Sequence, residues 1–272
     1  MSNFWQRTLY GALFVGAILT SILWSFYLFT VLFLLFSIGA AYEFNNLLNN
    51  QNKVIKLVNT FSVGGLFLST AFFSFDLMPG TLFLVNLIFP LIIVFYCSYH
   101  SHVSLGLFKS WLKTIIYPGL GFVAMALLMF NPVADYHYSH SVFLAVLVMV
   151  WVNDTFAYLS GRLFGKTLIF PEVSPKKTWE GSVGGVVFTI ISGIIFASIY
   201  SFMGLAAWIF FALITALSAI AGDYLASLLK RKAGVKDSGK FLPGHGGVLD
   251  RFDSLIVAAP IIWLYLALII SL

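Results

Sequence analysis

From Thr8 to Tyr42 the chain carries no formal charge. A stretch of that kind has no side that water can claim, and in lipid it must satisfy its own backbone, which a single segment does only as a helix. About 20 apolar residues cross the hydrocarbon core as helix. The stretch therefore has to cross twice, with a tight turn near Trp24 to Ser25. Similar apolar runs recur throughout: hydrophobic residues make up 60% of the chain and charged residues 9%, against about 25% charged in a water-soluble domain. The expectation is an all-α, polytopic integral membrane protein with about nine transmembrane helices, at residues 8–23, 27–47, 57–75, 81–99, 115–130, 141–161, 182–203, 206–229 and 254–272. The first run continues past the length of a signal-peptide core and lacks a small-residue cleavage site, so it reads as a retained helix.

Charge tests this division. With loops numbered alternately, Arg7, Lys53, Lys56, Lys109, Lys113, Arg162, Lys166, Lys176, Lys177, Lys230, Arg231, Lys232, Lys236, Lys240 and Arg251 all fall on one side. The other side holds Asp76 and Asp135 and no Lys or Arg. The positive-inside rule then puts the N-terminus in the cytoplasm and the C-terminus outside. The net charge of +5 becomes a property of one face, suited to anionic lipid and phosphate. Residues 1–140 (spans one to five) are expected to form a scaffold offering lipid access or an oligomer contact. Residues 141–272 (spans six to nine) carry the two longest cytoplasmic loops and the expected site. The lone Cys97 excludes an internal disulfide and multi-cysteine metal chemistry. His100, His102, His137 and His140 read as interfacial, and Glu43, at the inner end of the second span, as snorkelling or paired. The chain contains no Walker A loop, nucleophile elbow or paired-His zinc motif.

Polar residues within spans are costly and mark function or tight pairing. Asn153 and Asp154 lie in the sixth span and Asp223 in the eighth. At 1.5 Å per residue, both carboxylates sit roughly 10–12 Å below the cytoplasmic ends of their helices, a depth at which a shared water-filled pocket can form. Asp223, Ser227 and Lys230 or Arg231 recur at helical spacing and line one face. The alternative is that each acid is hydrogen-bonded to a neighbouring helix. Beyond them runs SLLKRKAGVKDSGKFLPGHGGVLDRFD, from Ser227 to Asp253, which gathers charge beside a glycine-rich turn. Gly244, His245, Gly246 and Gly247 precede the last helix, where amides and the helix N-terminus suit phosphate. Asp250 and Asp253 are three apart on that helix. Carboxylates beside a phosphate would repel it unless a divalent cation bridges them, and Mg²⁺ suits hard oxygen ligands; their other role is to complement the helix dipole. A third element, SPKKTWEG from Ser174 to Gly181, offers Lys176 and Lys177 and a Glu180 that can pair with them or orient a ligand.

The stretch from Ser227 to Asp253 resembles the signature of phosphatidate cytidylyltransferases, the CDP-diacylglycerol synthases. The matching positions are Ser227, Lys230, Arg231, Lys236, Asp237, Pro243, Gly244, His245, Gly246, Gly247, Asp250, Arg251 and Asp253. SPKKTWEG, Asn153-Asp154 and Gly222-Asp223 are similar to family features as well. The resemblance covers roughly the C-terminal half. It implies that CTP and phosphatidate react with Mg²⁺ to give CDP-diacylglycerol and pyrophosphate, at the cytoplasmic face of the cell inner membrane. Under it, Asp223 and Asp250 hold Mg²⁺, supported by Asp154 or Asp253, and Asn153 has a supporting role; a second, monovalent cation has no assigned place. Lys230, Arg231, Lys236, Arg251 and the GHGG amides hold phosphates, Ser227 and Asp237 line the site, and Ser174, Lys177 and Glu180 close over the nucleotide or lipid headgroup. The expected partners are CTP, phosphatidate and membrane lipid, with a homodimer allowed and nucleic acid not expected. The competing readings are a CTP-dependent lipid kinase, which would release CDP, and a lipid-binding transporter, which would turn over no nucleotide.

Overall fold

The computed structural model describes residues 3–50, 52–75, 106–129, 140–241 and 246–271, together with 85, 88, 92–93 and 96. Helix α1 (Asn3–Trp24) and helix α2 (Phe26–Leu47) are parted by a single extended residue, Ser25, at φ −162° and ψ 137°. Its hydroxyl accepts from the Tyr27 amide at 3.2 Å, so the expected tight turn is a helix break closed by its own N-cap. Asn52 caps α3 (Lys53–Ser74) by accepting from the amides of Val54 and Ile55. Helix α4 (Gly106–Thr114) passes through a π-turn, Ile115–Gly119, into α5 (Leu120–Leu128). Pro118 lies in that turn. Proline donates no N–H and crowds the carbonyl four residues back, and the wider π-turn lets the span continue through it. Then follow α6 (His140–Phe164), the strands β1 (Leu168–Phe170) and β2 (Ser174–Thr178), α7 (Trp179–Ile199), α8 (Leu205–Lys232) and α9 (Leu249–Ser271).

Among the described residues, seven helical stretches are long and apolar enough to cross a membrane: Phe26–Leu47, Lys53–Ser74, Gly106–Leu128, His140–Phe164, Trp179–Ile199, Leu205–Lys232 and Leu249–Ile269. Thr8–Trp24 is a shorter apolar helix. The fold is all-α and polytopic, as expected. The fifth expected span begins earlier, at Gly106, and takes Lys109 and Lys113 into its first helix. Of the expected span at 81–99, residues 85, 88, 92, 93 and 96 are described and helical; Asp76, Cys97, His100, His102, Asp135 and His137 lie outside the described residues. So do Pro243, Gly244 and His245. The polar loop after α6 is not wholly irregular: β1 and β2 pair antiparallel, Leu168 opposite Thr178 and Phe170 opposite Ser174. The Trp179 amide, donating to the Thr167 carbonyl at 2.9 Å, closes this hairpin onto α7.

The chain forms two compact units. The first comprises residues 1–127 and 232–252, the second 128–231 and 253–272. The first unit packs on phenylalanine. Phe252 meets Phe36 at 5.1 Å, Phe122 at 5.4 Å and Phe33 at 5.7 Å between ring centroids, while Phe33 stacks on Phe29 at 4.3 Å. In lipid such dispersion contacts, rather than escape from water, hold helices together. The start of α9 is thereby seated against α2 and α5.

The second unit packs on glycine. A Cβ on Gly181 would lie 2.7 Å from the Ala157 carbonyl oxygen, and one on Gly185 would lie 2.7 Å from Asn153 Oδ1. No side chain fits there, so α6 and α7 approach backbone to backbone, the small-residue packing typical of membrane helices. Gly222 does the same for α8 and α9, since its Cβ would come within 2.7 Å of the Asp253 carbonyl oxygen. This contact sets Asp223, the next residue, beside Asp253.

Candidate active site

Three helices and the hairpin bring charge together in the second unit. A cavity of about 390 Å³ is lined by Asn153, Asp154, Tyr158, Arg162, Ser174, Lys176, Lys177, Thr178 and Asp223, among others. Asp154 projects from α6 and Asp223 from α8. The hairpin supplies Ser174, Lys176 and Lys177, and Lys177 forms an ion pair with Asp223. Each of these two side chains is 30% exposed, so the pair is open to exchange with an incoming ion. Ser227, one turn beyond Asp223, donates to its other oxygen at 3.4 Å. Asp253 lies within electrostatic range of Asp223, Lys230 and Asp154. Three carboxylates from three helices therefore share one neighbourhood with Lys177 and Lys230.

Asn153 is buried, hydrogen-bonds Asp154, and keeps its Oδ1 in the interior without a partner. A buried amide oxygen left unpaired costs roughly 1–3 kcal/mol. Asn153 is one of the residues that line the cavity, and its Oδ1 lies against Gly185.

The hairpin is held by contacts that the sequence did not announce. Thr178 caps α7 by accepting from the Gly181 amide at 3.2 Å. Phe170 packs on Tyr224 of α8 with ring centroids 4.1 Å apart and planes tilted by 30°, and Arg231 Nε donates to the Val173 carbonyl at 3.3 Å. Glu180 was expected to face a ligand or a lysine. Its carboxylate instead accepts from the Lys166 amide at 3.1 Å and the Thr167 amide at 3.2 Å, fixing the strand entry to the first turn of α7. Backbone amides outcompete a lysine here because the chain delivers two of them side by side. Tyr158, Arg162, Lys176, Thr178 and Ser182 also line the cavity. Lys176 and Thr178 belong to the SPKKTWEG stretch; for Tyr158 and Arg162 the only sequence signal is position, since they follow Asp154 at four-residue steps, on one helix face.

The rest of the signature lies in the first unit, around a different carboxylate. Glu43 of α2 is 7% exposed. Its Oε1 accepts from the Val248 amide at 3.0 Å, and its Oε2 from the Leu249 amide at 2.9 Å and the Ser238 hydroxyl at 2.8 Å. Asp250 Oδ2 accepts from the amides of Ser238 at 2.8 Å and Gly247 at 2.9 Å, and meets the Ser238 hydroxyl at 3.0 Å. Gly246 adopts φ +84°, a left-handed turn that glycine enters without strain. The Gly247 amide is thus directed at Asp250, and the Val248 and Leu249 amides that follow it at Glu43. The sequence had given the Gly247 amide to phosphate. A helix N-terminus buried as Val248 and Leu249 are must be satisfied from within the protein, and Glu43 meets that need. Lys236, Asp237, Lys240 and Arg251 are exposed.

Among the described residues, no group of three or more His, Cys, Asp or Glu side chains is arranged to hold a metal ion. The donor set still suits Mg²⁺, which needs only one or two carboxylates and takes its remaining ligands from water and phosphate. The Lys177 ammonium already stands as a cation on Asp223, in a cavity that Asp154 also lines.

A model described as the cytidylyltransferase family matches residues 5–269. Phosphatidate cytidylyltransferase of Haemophilus influenzae is 40% identical over 135 residues, 46% of this chain and 47% of that protein. The proteins of the same name from Aquifex aeolicus and Staphylococcus saprophyticus are 36% identical over 180 residues, 65% of each chain, and 40% identical over 153 residues, 56% of each chain. The matched stretches span about half to two thirds of these relatives.

Proposed function

The chain belongs to the cytidylyltransferase family, and from that premise we propose that it transfers the cytidylyl group of CTP to phosphatidate, giving CDP-diacylglycerol and pyrophosphate. The names of its relatives support this reading. The observation that carries it is the cavity lined by Asp223, held by Lys177, by Asp154 and by two further cations, Arg162 and Lys176. An anionic polyphosphate fits such a lining only if its charge is balanced, and the carboxylates are suited to hold the balancing cation.

The phosphate oxygen of phosphatidate attacks the α-phosphorus of CTP, forming the new P–O bond as the bond to pyrophosphate breaks. The nucleophile is already anionic, so no side chain needs to remove a proton from it. The protein's part is positioning and charge neutralisation. Asp223, with Asp154 and Asp253, would hold Mg²⁺; the resemblance also names Asp250, whose Oδ2 accepts from the Ser238 and Gly247 amides. Bound there, Mg²⁺ would neutralise phosphate oxygens and favour departure of pyrophosphate. Lys177 exchanges its partner, from Asp223 to a phosphate. Lys230 and Arg231, at the end of α8, attract the polyphosphate, and we assign Lys236 and Arg251 the same role. Asn153 gives Asp154 its hydrogen bond, and Ser227 gives Asp223 its own. Phosphatidate reaches the site laterally in the membrane, and CTP comes from the cytoplasm, on the side where the basic residues gather. The membrane is the cell inner membrane.

The test is one assay of purified protein with labelled CTP, phosphatidate and Mg²⁺. Pyrophosphate and a cytidine-bearing lipid should appear together, cease with EDTA and return with added Mg²⁺. Release of CDP would indicate a lipid kinase, and absence of both products a binding or transport protein.

A further inference from the structure

Glu43 is a buried carboxylate that the reaction does not use, 195 residues from Ser238 in sequence. It accepts three hydrogen bonds, all from the segment that carries the second half of the signature. It also fills the space beside two of that segment's glycines: a Cβ on Gly239 or on Gly247 would collide with the Glu43 carboxylate. Those glycines are explained by close approach of a side chain, and Gly247 has no left-handed φ to require it. The Ser238 hydroxyl lies between Glu43 Oε2 and Asp250 Oδ2, at 2.8 and 3.0 Å. The two carboxylates thus form one network through a single hydroxyl, and both ends of the segment are tied to it.

We propose that Glu43 is a positioning residue for the nucleotide-handling segment: from the second helix of the chain it anchors the Ser238 side chain and the Val248 and Leu249 amides, and so fixes where Lys236, Lys240 and Arg251, next to those anchors, present their charge. This rests on the reading of the chain as a CTP-dependent transferase. A buried carboxylate held by backbone amides is suited to this task. It satisfies the helix N-terminus and complements its dipole in one contact. Losing it would leave two buried amides unpaired. The helices before the signature, which carry no motif, then contribute to activity through this contact.

Glu43→Gln keeps the shape but turns one acceptor into a donor facing donors. In this variant the KM for CTP should rise about 10–100-fold, the range seen when a supporting residue behind a site is lost. The KM for phosphatidate should stay within about twofold, and hydrogen exchange in detergent should speed up in peptides covering 246–252. Ser238→Ala, the milder change, should give a smaller effect in the same direction. Because the two residues act through one hydrogen bond, the double variant should fall short of the product of the single effects. Unchanged exchange in Glu43→Gln overturns the proposal. So does faster exchange with an unchanged KM for CTP, which would make Glu43 a fold residue only. If Glu43→Gln cannot be purified, a Ser238→Ala variant with wild-type exchange and KM overturns it too. If the wild-type protein turns over no CTP, the reading of its function fails on that account, and the exchange and non-additivity arms still decide whether Glu43 holds the segment.

Discussion

Two carboxylates outside the Ser227 to Asp253 stretch, each hydrogen-bonded to it, meet their charge in opposite ways. Asp223 is 30% exposed and is held by the tip of a lysine side chain. Glu43 is 7% exposed and is held by two backbone amides and a buried hydroxyl. A lysine ammonium on a flexible stem can leave and be replaced. Backbone amides at a helix start cannot leave without unwinding the helix. The first arrangement suits a group that must change partners during a reaction, the second a group that must never change. Asp250 belongs by its contacts to the second kind and by its motif to the first.

The comparison can be broken by substitution. Asp223→Asn should lower kcat by on the order of 10³, near the upper range for removing one electrostatic stabiliser, while detergent melting stays near wild type. Retained activity would remove Asp223 from the reacting centre. Lys177→Met should cost about 10²-fold in kcat/KM, and the loss should shrink as ionic strength rises and the contribution of the missing charge is screened. Asp250→Asn separates its two affiliations. As a structural carboxylate it should destabilise the protein by about 1–3 kcal/mol, the cost of leaving buried donors unsatisfied, and reduce activity about tenfold. A loss as large as that of Asp223→Asn with unchanged melting would move Asp250 to the reacting centre. The smallest effect should come from Thr178→Ala, about 1 kcal/mol for a lost N-cap, with kcat/KM within about threefold. A larger kinetic loss would mean that the hairpin positions Lys177 more tightly than its exposure suggests.

The broad fold was legible because lipid leaves the backbone few choices. Thr8 to Tyr42 had to form two helices, and the break fell at Ser25 as turn chemistry requires. Asp154 and Asp223 were legible because an acid inside an apolar run has few reasons to be there, and both line one cavity. Glu43 was not. An acid at the end of a span looks the same whether it snorkels or is buried, and nothing local points to partners at Ser238, Val248 and Leu249. Glu180 misled for a related reason, since its acceptors' true donors were backbone amides, which carry no sequence signature. The π-turn at Pro118 and the Phe170–Tyr224 contact likewise depend on context that only the folded chain supplies.

Helix α8 runs unbroken for 28 residues, a length of about 42 Å against a hydrocarbon core of about 30 Å. Asp223 lies 18 residues from its Leu205 end, about 27 Å along the axis. With Leu205 at one hydrocarbon boundary and the helix untilted, the carboxylate would stand close to the opposite plane, where hydrocarbon gives way to headgroups. Bilayer thickness consequently sets its surroundings: a thin membrane lifts Asp223 toward water, and a thick one draws it into the acyl chains. On that placement, activity should differ between bilayers of shorter and longer acyl chains.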